Sequence, residues 1–128
     1  MISRRILIAA AFSFASFAYV AECSELSFYS YEDAMQVAKE QNKNVYVLFG
    51  GEHCPWCHKQ KDVLLKDSVT KSLSDYVVCY VDTSEEREIS TKYRIRTIPV
   101  SIIVDSEDGV IKKNVGYMDE PKFLKWLP

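Results

Sequence analysis

The chain lacks several features that would assign it to a common class of protein. Its 16 lysines and arginines are scattered among 18 acidic residues, and the formal net charge is −2. Because no basic cluster is present, we predict no nucleic-acid partner. The sequence also has no internal repeat, no low-complexity tract and no linker. With 128 residues, 48% of them hydrophobic, the chain is predicted to contain one globular domain.

Charge is also missing from a long stretch near the N-terminus, between Ile6 and Ala21. Two arginines precede this apolar run, and small residues near its end suit a signal peptidase. We therefore predict that residues 1–21 are a signal peptide and that residues 22–128 are exported, to the periplasm or beyond. The alternative is an uncleaved membrane anchor, although the run is short for a span. After cleavage we expect no stable membrane insertion.

Cysteine is scarce, but its spacing is informative. Four cysteines in an exported chain would ordinarily form two structural disulfides. Here Cys54 and Cys57 form a C-x-x-C motif and are interpreted as a redox pair. Cys79 lies in an apolar run, which predicts a buried core thiol. Cys23 adjoins the cleavage region and is interpreted as a thiol of the tail, with lipid attachment as the alternative.

The sequence Cys54-Pro55-Trp56-Cys57 lies where a predicted buried strand, residues 45–49, passes into a predicted helix. Cys54 occupies the predicted N-cap of that helix, and Pro55 its first position, where a missing N–H costs nothing. The unpaired N–H groups and the dipole of a helix start would stabilise a thiolate at Cys54. Thiolate is the attacking species in disulfide exchange, so Cys54 is the predicted nucleophile and Cys57 the resolving thiol.

Other interpretations of the motif are weaker. A purely structural disulfide is disfavoured, because closing such a short loop stabilises the folded chain only slightly. A metal site formed by the two cysteines with His53 and His58 is disfavoured, because ligands adjacent in sequence do not easily adopt tetrahedral coordination. The sequence through His58 also fits the C-x-x-C-H attachment pattern of c-type haem proteins, with Met118 as a second axial ligand. A non-catalytic binding module is a further alternative, although such modules often lose one cysteine.

Apolar runs and caps predict an α/β domain with the order βαβαβαββα. Because strands alternate with helices, we expect a mainly parallel sheet to which the closing hairpin adds one antiparallel strand. The predicted elements are a strand at 26–29, a helix capped by Ser30, the strand at 45–49, the helix from Pro55, a short helical segment ending at Leu73, a strand at 77–81, a helix from Thr83 to about Tyr93, strands at 100–104 and 110–115, and a helix starting at Asp119.

Four segments together resemble the thioredoxin superfamily across nearly the whole exported region. They are Phe49 to Lys59, Val81-Asp82, Thr97-Ile98-Pro99 and Val115-Gly116-Tyr117. The resemblance implies the thioredoxin fold, a mixed sheet flanked by helices. It also implies a cis Ile98–Pro99 bond that faces the cysteine pair.

The resemblance implies a thiol–disulfide oxidoreductase that needs no dissociable cofactor. We expect Cys54 and Cys57 to be its catalytic residues, and Trp56, Thr97, Ile98 and Pro99 to contact substrate. Protein disulfides and a redox partner protein are the expected partners. We predict the reductase direction and a monomer.

The chain departs from typical thioredoxins at two positions. Leu48 stands where they carry a buried Asp, and Val78 stands at the apparent position of the Lys paired with it. Proton transfer to and from Cys57 then needs another route, for which Glu52, His53 and water are the alternatives.

Overall fold

The computed structural model describes residues 26–128. The predicted signal peptide and Cys23 lie outside these residues. The elements are α1 (Tyr31–Gln41), β1 (Asn44–Gly50), α2 (Pro55–Leu64), α3 (Asp67–Ser72), β2 (Tyr76–Asp82), α4 (Arg87–Lys92), β3 (Val100–Val104), β4 (Val110–Val115) and α5 (Glu120–Trp126). Within the described part of the chain, no helix is both long enough and apolar enough to cross a bilayer.

The four strands form one mixed sheet in the order β2-β1-β3-β4. β1 is parallel to β2 and antiparallel to β3, and β4 is antiparallel to β3. All of β1 after Asn44 is buried, as its continuous apolar run predicts. This central position fixes the end of β1 and so gives the cysteine motif a rigid support.

The alternation of side chains along β1 divides the core into two clusters, one on each face of the sheet. Val45, Val47 and Phe49 belong to a cluster that includes residues of α1. Tyr46 and Leu48 belong to the other, which includes residues of α2, α3 and α5. Helices therefore cover both faces, as the predicted fold class requires.

The predicted strand at residues 26–29 was wrong in extent. Only Tyr29 pairs with the sheet, in a parallel bridge to Cys79 at the outer edge of β2. Its N–H donates to the carbonyl of Val78 at 2.9 Å, and its carbonyl accepts from Tyr80. Phe28 and Tyr29 remain more than one-third exposed, so little burial favours a longer strand.

The expectation of a mainly parallel sheet was also wrong, because β3 runs antiparallel to β1. The connection between β2 and β3 contains α4, a helix of only six residues. Such a helix is about 9 Å long, whereas a seven-residue strand such as β2 is about 23 Å long. The helix is too short to return the chain to the end of the sheet where β1 and β2 begin. β3 therefore begins at the end where β1 and β2 finish.

The predicted helix start at Thr83 lies four residues too early. The carboxylate of Asp82 accepts hydrogen bonds from the backbone N–H and the hydroxyl of Ser84, at 2.9 and 2.6 Å. The Thr83 N–H donates to the carbonyl of Gly50 at 3.0 Å. These bonds hold a turn against the end of β1, and α4 starts only at Arg87.

Candidate active site

The cysteine motif lies at the edge of the sheet where β1 ends and α2 begins. Cys54 is the N-cap of α2 with extended backbone angles, and Pro55 is its first residue, as predicted. The Cys54 carbonyl accepts from the N–H groups of Cys57 and His58 at 3.1 and 3.2 Å. These two hydrogen bonds form the first turn of α2, which begins directly after Cys54.

The two cysteines are disulfide-bonded, with Cα atoms 5.2 Å apart, yet their environments differ. Cys54 is partly exposed, and its Sγ accepts a hydrogen bond from the Cys57 N–H at 3.2 Å. Cys57 is fully buried. An N–H aimed at sulfur stabilises negative charge there, so the geometry favours thiolate at Cys54.

The loop before the motif is held by His58. Its Nε2 lies 2.6 Å from the carbonyl oxygen of Glu52, and since a carbonyl only accepts, Nε2 carries the proton. Using this nitrogen as a metal or haem ligand would break that bond. Met118, the second ligand of the haem alternative, is fully buried in the cluster that contains Phe123, so it would have to leave the core.

Three of the four predicted substrate-contacting residues meet in one groove. Trp56, Ile98 and Pro99 line it together with Gly116 and Tyr117, and its volume is about 340 Å³. The Ile98–Pro99 peptide bond is cis. Thr97 is exposed and does not belong to the lining of this groove.

Trp56 forms an aromatic wall of this groove. It is 53% exposed, and its ring centroid lies 5.3 Å from that of Tyr117. The Lys59 Nζ lies 4.3 Å from the Trp56 centroid and adds a cation to this surface. Sequence reasoning assigned no role to Tyr117, although this residue belongs to the Val115-Gly116-Tyr117 segment that carries the resemblance.

Glycines allow the backbone to approach closely on both sides of the groove. Gly116 has φ +100°, a conformation that suits glycine, and its N–H donates to the Pro99 carbonyl at 2.8 Å. A methyl group on Gly51 would lie 3.1 Å from the Ile98 Cδ1. Ile98 therefore packs against the loop that leads to Cys54.

Gln60 is a buried polar residue of α2 that sequence reasoning also missed. Its Nε2 donates to the Met118 carbonyl at 3.1 Å, and its Oε1 accepts from the Met118 N–H at 2.8 Å. One amide thus satisfies both backbone groups of a residue beside α5. Only its spacing of three residues from Cys57, on the buried face of α2, could have indicated this.

A tyrosine lies close to the second cysteine. Tyr80 in β2 is the register partner of Leu48 in β1. The Lys61 Nζ lies 3.6 Å from the centroid of the Tyr80 ring. Leu48 and Val78, at the positions of the charged pair of typical thioredoxins, are buried, whereas Glu52 and His53 are exposed.

This architecture matches that of a known protein family. Residues 31–128 match the family model described as a thioredoxin-like domain. The chain belongs to this family. The predicted resemblance and fold are therefore confirmed, and the disulfide-bonded pair lies at the strand–helix junction of a thioredoxin-like domain.

Individual relatives agree with this assignment. Over 98 residues the thioredoxin-like chain is 22% identical to the Disulfide bond reductase DsbH of Chlamydia pneumoniae, covering 66% of this chain and 59% of that protein. It thus spans about three-fifths of the length of this curated relative.

Solved structures show the same fold. A thioredoxin from Thermus thermophilus superposes with a TM-score of 0.72 and 28% identity, covering 80% of this chain and 84% of that one. A DsbH oxidoreductase gives 0.63 and 22%, with 72% and 74% covered. A disulphide isomerase from Xylella fastidiosa Temecula1 gives 0.65 and 20%, with 75% and 84% covered.

Proposed function

We propose that this chain is an exported thiol–disulfide oxidoreductase that reduces protein disulfides through Cys54 and Cys57. The observation that carries the proposal is the asymmetry of the pair. The sulfur of the partly exposed Cys54 accepts a hydrogen bond from an N–H at the start of α2, whereas Cys57 is buried one turn further along. A stabilised, accessible thiolate beside a protected second thiol suits a nucleophile and a resolver.

The exchange consists of two displacements at sulfur. The Cys54 thiolate attacks one sulfur of a substrate disulfide, so that a mixed disulfide forms and the other substrate sulfur leaves as thiolate. Cys57 then loses its proton and attacks the Cys54 Sγ, which releases the second substrate thiolate. The substrate gains two electrons, and the chain is left with the Cys54–Cys57 disulfide. A redox partner protein must then reduce this disulfide for the next cycle.

The groove beside the pair is the proposed substrate surface. Trp56 of the motif lies beside Ile98 and Pro99, and the three residues present an apolar wall. An extended peptide that carries a disulfide would cover the exposed Trp56 ring when it binds. Thr97 adjoins this wall and is proposed to contact the same peptide from the exposed side.

Two features support the direction and the compartment. The curated relative is named as a disulfide bond reductase, which supports reduction over oxidation. The charge-free run behind two arginines supports export and removal of residues 1–21. We further propose that the exported domain, residues 22–128, acts as a monomer.

Single-cysteine variants of the full chain test the proposed roles. We expect Cys57→Ser to attack a protein disulfide once and to stay trapped as a mixed disulfide, because nothing resolves it. Cys54→Ser should form no adduct within the motif, since the thiol that remains there, Cys57, is buried. Non-reducing gels and mass spectrometry of the adduct detect both results.

Cys23→Ser is the matched control, and it should behave like the unmodified chain. If Cys54→Ser forms the adduct and Cys57→Ser does not, the two roles are reversed. If neither variant forms an adduct and the unmodified chain reduces no disulfide, a non-catalytic binding module is the better description.

A further inference from the structure

The phenol of Tyr80 lies beside the second cysteine, in a space that a glycine keeps open. A methyl group on Gly50 would lie 2.9 Å from the Tyr80 hydroxyl oxygen and 3.3 Å from the Cys57 Cβ. Because both atoms are that close to one point, they lie roughly 6 Å apart or less, the sum of the two distances. Any residue larger than glycine at this position would force the phenol or the cysteine to move.

We propose that the Tyr80 hydroxyl donates a hydrogen bond to the Cys57 sulfur whenever that sulfur is a thiolate. The inference rests on the proposed function. It names the side chain that stabilises the negative charge on Cys57, which the apolar Leu48 cannot do. One covalent bond separates Cβ from Sγ. Once the disulfide opens, a Cys57 rotamer that points toward Tyr80 shortens the distance between the sulfur and the phenol, which brings the two groups together across the space beside Gly50.

A donor is needed because Cys57 is fully buried. Burial disfavours a charged sulfur unless a hydrogen bond compensates for the lost water. Leu48, the residue of β1 that pairs with Tyr80, is apolar and fully buried, so it offers no hydrogen bond to the sulfur. Glu52 and His53 are exposed on the loop before the motif, and the imidazole of His58 is bonded to the Glu52 carbonyl.

Tyr80 is suited to this role in three respects. Its hydroxyl has no hydrogen-bond partner within residues 26–128, whereas the hydroxyls of Tyr46 and Tyr31 are bonded to Ser101 and Tyr93. Burial, and then the charge of Asp82, raise the pKa of Tyr80, so the phenol keeps its proton at neutral pH. Lys61, one helical turn after Cys57, covers the ring and holds it in place.

The titratable groups around this position come from two elements, α2 and β2, and from the loop joined to α2. β1 contributes no titratable group near its end, and the segment 97–99 contributes none. The groups are Cys54, His58, Lys59 and Lys61 on the side of α2, Tyr80 and Asp82 in β2, and Glu52 and His53 in the loop.

The proposed hydrogen bond acts in the second displacement. The Cys57 thiol gives its proton to water, the phenol bonds the resulting thiolate, and this thiolate attacks the Cys54 Sγ. The new sulfur–sulfur bond replaces the bond to substrate, whose sulfur leaves with the electron pair. The phenol itself keeps its proton, so it changes the population of attacking thiolate and not the stoichiometry.

The test uses the full chain with Cys23→Ser, reduced and mixed with 5,5′-dithiobis(2-nitrobenzoate). Attack by Cys54 releases one coloured thiolate, and resolution by Cys57 releases the second, so each cysteine has its own phase. We expect Tyr80→Phe to slow the second phase about ten-fold near neutral pH, as loss of a hydrogen bond to a charged group implies. The pH midpoint of this phase should rise by about one unit, and the first phase should not change.

Tyr76→Phe is the matched control, because Tyr76 lies in the same strand at its other end. It should leave both phases unchanged, and an unchanged first phase in Tyr80→Phe shows that the fold is intact. If both phases occur and Tyr80→Phe alters neither the rate nor the pH midpoint of the second, the role of Tyr80 is refuted while the proposed function stands. If the unmodified pair shows neither phase, the proposed function fails, and the role of Tyr80 with it.

Discussion

Cys54 and Cys57 are separated by two residues, yet their surroundings assign them different chemistry. The N-cap geometry leaves the Cys54 sulfur at the surface and directs the Cys57 N–H toward it. The first turn of α2 carries Cys57 inward, where its Cβ lies near Gly50 and Tyr80. This difference comes from the start of the helix, where a side-chain acceptor at the N-cap bonds one of the first unpaired N–H groups.

Cys79 shows what a thiol without these features becomes. It is fully buried in the α1 side of the core. Burial, and then the charge of Glu86, raise the pKa of Cys79 to about 12. The prediction of a buried core thiol from its apolar run is therefore confirmed, and the thiol is inert at neutral pH.

The raised pKa of Cys79 makes stability depend on pH in one direction. The folded chain holds this proton more tightly than the unfolded chain, whose thiol has a pKa of about 8.5. Its contribution is complete below that value and is lost as pH rises toward 12. We expect the unfolding free energy of the unmodified chain, relative to Cys79→Ala, to fall between about pH 7 and about pH 10.

Urea unfolding of both proteins without oxygen measures this difference. All other ionisable groups are common to both proteins, so their contributions cancel in the comparison. A difference that stays constant over this range would show that Cys79 ionises normally in the folded chain.

At the scale of elements, Gln60 joins α2 to the segment that precedes α5. Its amide bonds both the N–H and the carbonyl of Met118, and all of these groups are buried. Gln60→Ala would leave two buried backbone groups without partners. Since each such group costs about 1–3 kcal/mol, we expect at least about 2 kcal/mol of lost stability.

Gln36→Ala is the control, because Gln36 is exposed on α1 and bonds only Glu40 there. It should change the unfolding free energy by less than about 0.5 kcal/mol. Equal urea midpoints for the two variants would mean that water or a rearranged Met118 replaces the Gln60 bonds.

The helix starts that were predicted correctly from the sequence are those determined by residues close to them in the chain. Ser30 and Asp119 accept hydrogen bonds from the N–H groups three residues ahead, which starts α1 and α5 where the caps predict. The start of α4 was misplaced because the Asp82 carboxylate bonds Ser84 and favours a turn. Thr83 can serve as a helix cap or bond the end of β1, and its local sequence does not distinguish these.

At the scale of the whole molecule, the sheet places the candidate site residues at one end of its strands. β1 and β2 end there, and β3 begins there after Pro99. The direction of β3 was not predictable from its apolar run, which is the same pattern in either direction. The closeness of Tyr80 to Cys57 was hidden for a related reason, since it depends on the register between β1 and β2.

A second group of contacts joins distant parts of the chain on the α1 side. The Tyr31 hydroxyl lies 2.6 Å from that of Tyr93 and donates to Asp108, which also pairs with Lys92. These residues connect α1, the end of α4 and the turn between β3 and β4. The contacts stabilise the side of the sheet that lies away from the cysteines.

The reduction potential of the Cys54–Cys57 couple tests the central claim most directly. The full chain is equilibrated with graded ratios of reduced and oxidised dithiothreitol or glutathione, and the pair is quantified by alkylation and peptide mass spectrometry. A disulfide reductase should give a reversible two-electron couple near that of thioredoxin, about −270 mV. A potential near −120 mV would contradict the reductase direction, and a pair that never equilibrates with either buffer would contradict a redox function.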